Sequence, residues 1–203
     1  MNDRTAEFRT YKSPVKVREA PDGKRPQLYG YAATFNSPSQ DLGGYVEVLA
    51  PGCFKTTLEK ADVRAFWNHC YDHLLGRKSS GTLRAWEDAT GLAFDLDVPD
   101  TSTGRDVYEL VRRGDVDGVS FGFYSIRDEW SADGSVNTIL EAELIEVSPV
   151  VFPAYPNGPV VEARSIVDRS SPERLARRPA PRPPARSRSR RSLSILRLDS
   201  ERG

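Results

Sequence analysis

Three residue types that together can carry out nucleophilic catalysis occur on three apolar, strand-like segments of this chain. Ser120 lies in the Gly-Val-Ser-Phe-Gly-Phe stretch of residues 118–123, His69 directly follows an apolar run, and Glu146 is the one acid within the apolar run 144–153. A serine, a histidine and an acid can form a nucleophile, its general base and the group that orients the base. The sequence therefore predicts a Ser-His-Glu site if folding brings these segments together.

The order of these residues along the chain argues against an α/β-hydrolase. Residues 118–122 fit the Gly-x-Ser-x-Gly pattern of the nucleophile elbow, but the elbow requires a helix directly after the serine, and residues 121–126 continue a strand. The elbow's triad also runs serine, acid, histidine, whereas His69 and His73 both precede the serine. His73 stays open as an alternative to His69 as the base.

Strand alternation gives Ser120 a face of the sheet. The large residues of 119–123 alternate with it, so they are expected to face the core while Ser120 lies on an open face, beside a glycine that leaves room for a substrate chain. The turn signal before the last strand predicts a hairpin that sets Ser120 opposite Val147. In that register Ser120 lies within one residue of both Glu146 and Ser148.

The apolar patterns predict a mainly β protein with peripheral helices. Hairpin connections between the predicted strands favour an antiparallel β-barrel. The strands are expected over 28–35, 45–49, 63–67, 82–86, 92–98, 119–129 and 136–151, and the helices over 54–60 and 103–113.

Composition divides the chain into three parts. Residues 1–26 form a polar N-terminal segment, residues 27–164 the β-barrel domain, and residues 165–203 a tail rich in Arg, Pro and Ser that is expected to be disordered. The tail holds 11 arginines against 4 acidic residues, so a formal net charge of zero for the whole chain conceals a basic tail and an acidic body. Such a tail is suited to an acidic partner or a nucleic acid, or it is a solvated linker.

Cysteine content and the length of the apolar runs indicate the redox environment of the protein and its relation to membranes. Cys53 and Cys70 are too few for a disulfide scaffold, so a reduced cytosolic environment is expected. No apolar run is long enough to span a membrane, and the first residues lack the apolar core of a signal peptide. No membrane contact is therefore expected.

A metal site and a cysteine nucleophile are weaker alternatives. His69, Cys70 and His73, with Cys53 upstream, do not follow a usual zinc-binding spacing. Cys70 paired with either histidine is disfavoured because adjacent strand residues point apart. The sequence therefore predicts neither a metal nor another cofactor.

Six blocks of the chain together carry a resemblance to a known family: residues 66–69, 75–77, 80–83, 106–110, 117–123 and 146–156. They resemble the prohead (procapsid maturation) proteases of tailed phages and prophages, and the resemblance runs from about residue 29 to residue 163. That family is similar in fold to the herpesvirus assemblins, a β-barrel ringed by helices.

The resemblance implies a serine endopeptidase in which Ser120 is the nucleophile, His69 the general base and Glu146 the third member. Cys70 departs from the family pattern, in which an acid often follows the histidine. Family members cleave the scaffolding region of the major capsid protein precursor, and often themselves, inside the immature shell. The implied location is the bacterial host cytoplasm, within the assembling prohead, and the assemblins' dimers imply a homodimer.

A second function class stays open beside the protease. The chain could be a non-catalytic capsid assembly or scaffolding module that uses its basic tail to contact an acidic partner or nucleic acid. If it is a protease, self-cleavage in the tail after about residue 164 is expected.

Overall fold

The computed structural model describes residues 6–11, 15–19 and 25–151 of the chain. Within them lie ten strands and two helices, and the protein is mainly β. The strands are β1 (Glu7–Tyr11), β2 (Lys16–Arg18), β3 (Gln27–Thr34), β4 (Val46–Leu49), β5 (Arg64–Trp67), β6 (Cys70–Arg77), β7 (Leu83–Glu87), β8 (Gly91–Asp97), β9 (Gly118–Trp130) and β10 (Val136–Val150), and the helices are α1 (Lys55–Lys60) and α2 (Ser102–Arg113).

The strands form two sheets. The larger has the order β1-β9-β10-β5-β6, with β4 also beside β10, and the smaller has the order β2-β3-β8-β7. Most neighbours are antiparallel, as predicted, but β10 pairs in parallel with β4 and with β5. No strand pairing among the described residues closes either sheet into a barrel.

The core lies between the sheets and is filled by the apolar face of the long strand β9. Phe121 and Phe123 are fully buried, and Phe54, directly before α1, packs edge-on against both. Such edge-on contacts are favoured because the positive ring edge meets the negative ring face. Leu92, Phe94 and Leu96 of β8 share a face, because they alternate along the strand, and they complete the centre of the core.

Helix α2 begins one residue before its predicted start and ends at its predicted last residue. The Thr101 hydroxyl accepts a hydrogen bond from the Gly104 N–H at the N-terminus, and Gly114 ends the helix with a φ of 81°. That left-handed conformation favours glycine because it has no Cβ. Val107 and Val111 are buried and attach the helix to the core.

The sequence missed three strands. Strands β1 and β2 lie within residues 1–26, which were expected to form a polar segment outside the β domain, and β6 was not among the expected strands. Their side chains alternate too weakly to signal a strand, and their neighbours in the sheets stabilise them instead. No helix among the described residues is long and apolar enough to cross a membrane. The expected disordered tail lies outside the described residues.

Candidate active site

A tight turn between β5 and β6 presents His69. Asn68 and His69 have φ angles of 51° and 60°, which match a two-residue hairpin turn with both central residues in the left-handed region. The Asn68 N–H donates to the Pro149 carbonyl at 3.1 Å, and its side-chain oxygen accepts from the Val151 N–H at 2.9 Å. The turn is therefore attached to the end of β10, the strand that also carries Glu146.

The imidazole of His69 is hydrogen-bonded to the carboxylate of Glu146. His69 Nδ1 lies 2.5 Å from Glu146 Oε1, and the Ser148 hydroxyl donates to Glu146 Oε2 at 2.6 Å. Glu146 and Ser148 are fully buried, while the His69 side chain keeps 24% of its surface exposed. With the carboxylate ionised, Nδ1 carries the proton and Nε2 of a neutral ring is left as an acceptor.

The charge of Glu146 also reaches Tyr71 on β6. Burial is the larger cause of a raised pKa for this phenol, and the Glu146 carboxylate raises the pKa further because it opposes a second negative charge. Tyr71 packs edge-on against Phe66 with ring centroids 5.0 Å apart. The Glu146 carboxylate thus acts on Tyr71 of β6 as well as on His69 in the β5–β6 turn.

Ser120 lies on the same sheet face as Glu146. The pairing of β9 with β10 sets Ser120 opposite Ser148 and Gly122 opposite Glu146, so Ser120 and Glu146 are diagonal neighbours, roughly 7–8 Å apart. The predicted partner of Ser120, Val147, was wrong by one residue. An irregularity between Leu144 and Glu146 shifts the register, since an extra residue in one strand displaces all later pairs.

The serine is covered, which corrects the expectation of an open face. Ser120 is fully buried, and its hydroxyl donates to the Arg9 carbonyl of β1 at 2.9 Å. Among the hydrogen bonds of residues 6–11, 15–19 and 25–151, none joins Ser120 to His69. The His69–Glu146 pair is therefore assembled, while the serine hydroxyl is bonded elsewhere.

Strand β1 also fills the space beside Gly122. A Cβ placed on Gly122 would lie 2.7 Å from the Phe8 ring, so the glycine makes room for this ring and not for the substrate chain that was expected there. The Phe8 ring lies edge-on against the His69 ring, with centroids 4.8 Å apart. The room that the glycine creates is therefore taken by the chain's own N-terminal strand.

Two of the alternative site residues, His73 and Cys53, make no hydrogen bond to this cluster among the described residues. His73 is exposed and its ring lies 3.3 Å from the Thr103 hydroxyl of α2. Cys53 is buried, and burial raises the pKa of its thiol. Within the part of the chain that the structure describes, no group of three or more His, Cys, Asp or Glu residues could hold a metal ion.

Sequence reasoning gave no role to four residues near this site. It named Ser148 only as a neighbour of Ser120, although residues two apart on a strand share a face and Ser148 follows Glu146 at that spacing. Phe8, Arg9 and Glu47 carry no such local signal, because their contacts join segments far apart in the sequence.

A mainly β fold with a serine, an imidazole and a carboxylate on one sheet face has the components of a serine hydrolase site. A family model described as Caudovirus prohead serine protease matches residues 13–171. Since this is most of the chain, the protein belongs to that family, and the resemblance stated above is confirmed.

Known proteins similar to the chain include two phage proteases. The prohead protease of Enterobacteria phage HK97 is 27% identical over 158 residues, which cover 75% of this chain and 66% of that relative. The structure of the bacteriophage T4 capsid assembly protease superposes with a TM-score of 0.55 at 10% identity, over 73% of this chain and 99% of that one. At such low identity, the T4 structure shows that the fold is shared.

Proposed function

We propose that this chain is a serine endopeptidase that processes the capsid precursor and scaffold during prohead maturation. The observation that carries the proposal is the His69–Glu146 hydrogen bond on the sheet face that also holds Ser120. A buried carboxylate that fixes one imidazole nitrogen leaves the other free to act as a base. Membership of the prohead protease family supports the same reading.

In the proposed mechanism, the Ser120 hydroxyl first turns from the Arg9 carbonyl to His69. Ser120 Oγ then attacks a peptide carbonyl carbon while His69 Nε2 takes the hydroxyl proton. The C–N bond breaks, the imidazolium returns its proton to the leaving amine, and an acyl-enzyme remains. Water attacks this ester with His69 again as the base, which releases the acid and restores the serine. Glu146 holds the ring and stabilises the imidazolium.

Ser120→Ala tests the proposal. When the chain is co-expressed with its capsid precursor, the substitution should reduce cleavage roughly 10⁴- to 10⁶-fold, as in other triads. Ser125→Ala is the matched control on the same strand, because the Ser125 hydroxyl is buried and has no hydrogen-bond partner among the described residues. Cleavage that continues in a folded Ser120→Ala chain would remove the proposal.

One observation favours the second candidate, a non-catalytic capsid assembly or scaffolding module. Ser120 is buried and its hydroxyl is bonded to the Arg9 carbonyl. A scaffolding module would promote shell assembly equally well with Ser120 or alanine, whereas a protease would lose maturation. Shell yield and precursor cleavage, measured together in the Ser120→Ala chain, separate the two functions.

The partners and the setting belong to the same proposal. The substrates are the major capsid protein precursor and the scaffold, the site of action is the interior of the prohead in the bacterial cytoplasm, and the active unit is a homodimer on an assemblin-like barrel. The arginine-rich tail contacts an acidic partner or nucleic acid.

Self-cleavage after about residue 164 completes the proposal. The intact masses of the wild type and of Ser120→Ala under assembly conditions test it. Two full-length chains would contradict self-cleavage, and two shortened chains would point to a host protease that cuts after the arginines of the tail.

A further inference from the structure

Strand β1 lies along the serine-bearing strand in the position of an added peptide strand. It pairs antiparallel with β9 over five residues, with Thr10 opposite Ser120 and Phe8 opposite Gly122. Because β1 is the last strand of the sheet on this side, β9 without it would present unpaired N–H and C=O groups. An exposed strand edge of this kind binds extended peptides through the main chain.

The backbone of β1 lies where a bond to be cleaved would lie. The carbonyl that accepts the Ser120 hydroxyl belongs to Arg9, so the peptide bond at the nucleophile is the one between Arg9 and Thr10. The preceding residue, Phe8, contacts the ring of His69. The proposed nucleophile and base are thus both in contact with β1.

The Arg9 side chain lies in a buried binding site, the arginine receptor, that Glu47 of β4 supplies. Its Nε and Nη2 donate to the two carboxylate oxygens of Glu47 on β4, each at 3.0 Å, and Nη2 also donates to Glu7 at 2.6 Å. Arg9 keeps 7% of its surface exposed and Glu47 none. Such a bidentate contact with a carboxylate fits the planar guanidinium of arginine better than the ammonium group of lysine.

The charges in this receptor hold the guanidinium in its ionised form. Burial on its own would lower the pKa of Arg9, but the charges of Glu47 and Glu7 outweigh burial and the pKa lies above its ordinary value. If β1 left the edge, Glu47 would remain as a buried carboxylate without this cation, which is unfavourable. A strand that replaces β1 should therefore bring a cation of its own.

We propose that the edge of β9 beside Ser120, together with Glu47, is the binding site for an extended peptide with an arginine at the residue whose carbonyl meets the serine, and that β1 occupies this site in cis. The assignment rests on the proposed function. It specifies the substrate as a polypeptide cleaved on the carboxyl side of a basic residue, and it requires β1 to leave before cleavage.

Binding of a peptide copy of β1 tests the proposal apart from catalysis. The probe is a fluorescent peptide with the sequence of residues 6–11, and its control carries citrulline, which is neutral and of equal size, in place of the arginine. The protein is the full chain with Ser120→Ala, which prevents turnover, with and without Arg9→Ala. Arg9→Ala removes the anchor of β1 and leaves Glu47 in place.

We expect the arginine peptide to bind the Arg9→Ala chain at least tenfold more tightly than the chain that keeps Arg9, measured by fluorescence anisotropy. The citrulline peptide should bind at least tenfold more weakly than the arginine peptide, and adding Glu47→Gln should abolish that difference. Equal binding of the two peptides, or no binding to a folded Arg9→Ala chain, would overturn the proposal.

An unfolded Arg9→Ala chain would also give a result. If the arginine peptide then restores cooperative thermal unfolding and the citrulline peptide does not, the receptor is supported. If neither peptide restores it, β1 is an obligatory part of the fold and the proposal is wrong.

Cleavage by the chain that retains Ser120 is measured in parallel. Arginine-selective binding without any precursor cleavage would support the peptide-binding site and contradict the protease proposal. Ser120-dependent cleavage without arginine-selective binding would remove the receptor and leave the protease.

Discussion

The hydrogen bond from Ser148 to Glu146 offers a test of how the carboxylate is held. Ser148→Ala deletes a 2.6 Å hydrogen bond between two fully buried groups, and Oε2 of Glu146 loses this donor. A hydrogen bond to a charged group contributes about 1.5–3 kcal/mol. If that energy maintains the orientation in which Oε1 meets His69, its loss should slow cleavage roughly 10- to 150-fold, since about 1.4 kcal/mol corresponds to a factor of ten.

The assay is the initial rate of capsid precursor cleavage, with thermal unfolding measured on the same preparations. Ser148→Thr keeps the hydroxyl and should restore the rate to within about threefold of the wild type. A low-field proton signal from His69 Nδ1–H reports the contact with Glu146 directly, and it should broaden or move in Ser148→Ala but not in Ser125→Ala. An unchanged rate and an unchanged signal in a folded Ser148→Ala chain would refute the reasoning.

Three further predictions concern strand β1, the β9–β10 turn and the choice between His69 and His73 as the base. Gly122→Ala places a Cβ 2.7 Å from the Phe8 ring. It should therefore increase hydrogen exchange of the β1 amides and lower the free energy of unfolding by about 1–3 kcal/mol. Unchanged exchange would contradict the packing described. The hydroxyls and N–H groups of the β9–β10 turn lower the pKa of Asp133 to about 2. The ionised carboxylate should therefore stabilise the fold, and the difference in unfolding free energy between the wild type and Asp133→Asn should shrink as the pH falls from about 4 to about 2. A difference that does not depend on pH would contradict this prediction. His69→Ala should abolish cleavage while His73→Ala leaves it near the wild-type level, and the reverse order of the two variants would move the base to His73.

The elements that sequence reasoning predicted are those with strong local signals. Helix α2 has its cap at Thr101 and its terminal glycine at Gly114, and β9 and β10 flank a turn with hairpin chemistry. Such signals act over a few residues, so they can be read from one sequence. The proximity of His69 and Glu146 required the family resemblance, because the two residues lie on different strands far apart in the chain.

The elements that it missed depend on distant contacts. Strand β1 is anchored by the ion pair of Arg9 with Glu47, and no local sequence pattern around either residue predicts this contact. The register shift between Leu144 and Glu146 likewise depends on how β10 packs between its neighbours, so a hairpin rule places Ser120 one residue away from its true partner. Local rules thus predicted β9 and β10, but they predicted neither the strand β1 that covers Ser120 nor the exact pairing of β9 with β10.

Labelling of the nucleophile tests the central claim most directly. A fluorophosphonate is added to an assembly reaction in which the capsid precursor is being cleaved, and the modified residue is identified by peptide mass mapping. The account predicts a single label on Ser120 that is lost in His69→Ala and retained in His73→Ala. Active cleavage with the label on another residue, or with Ser120 unmodified, would contradict it.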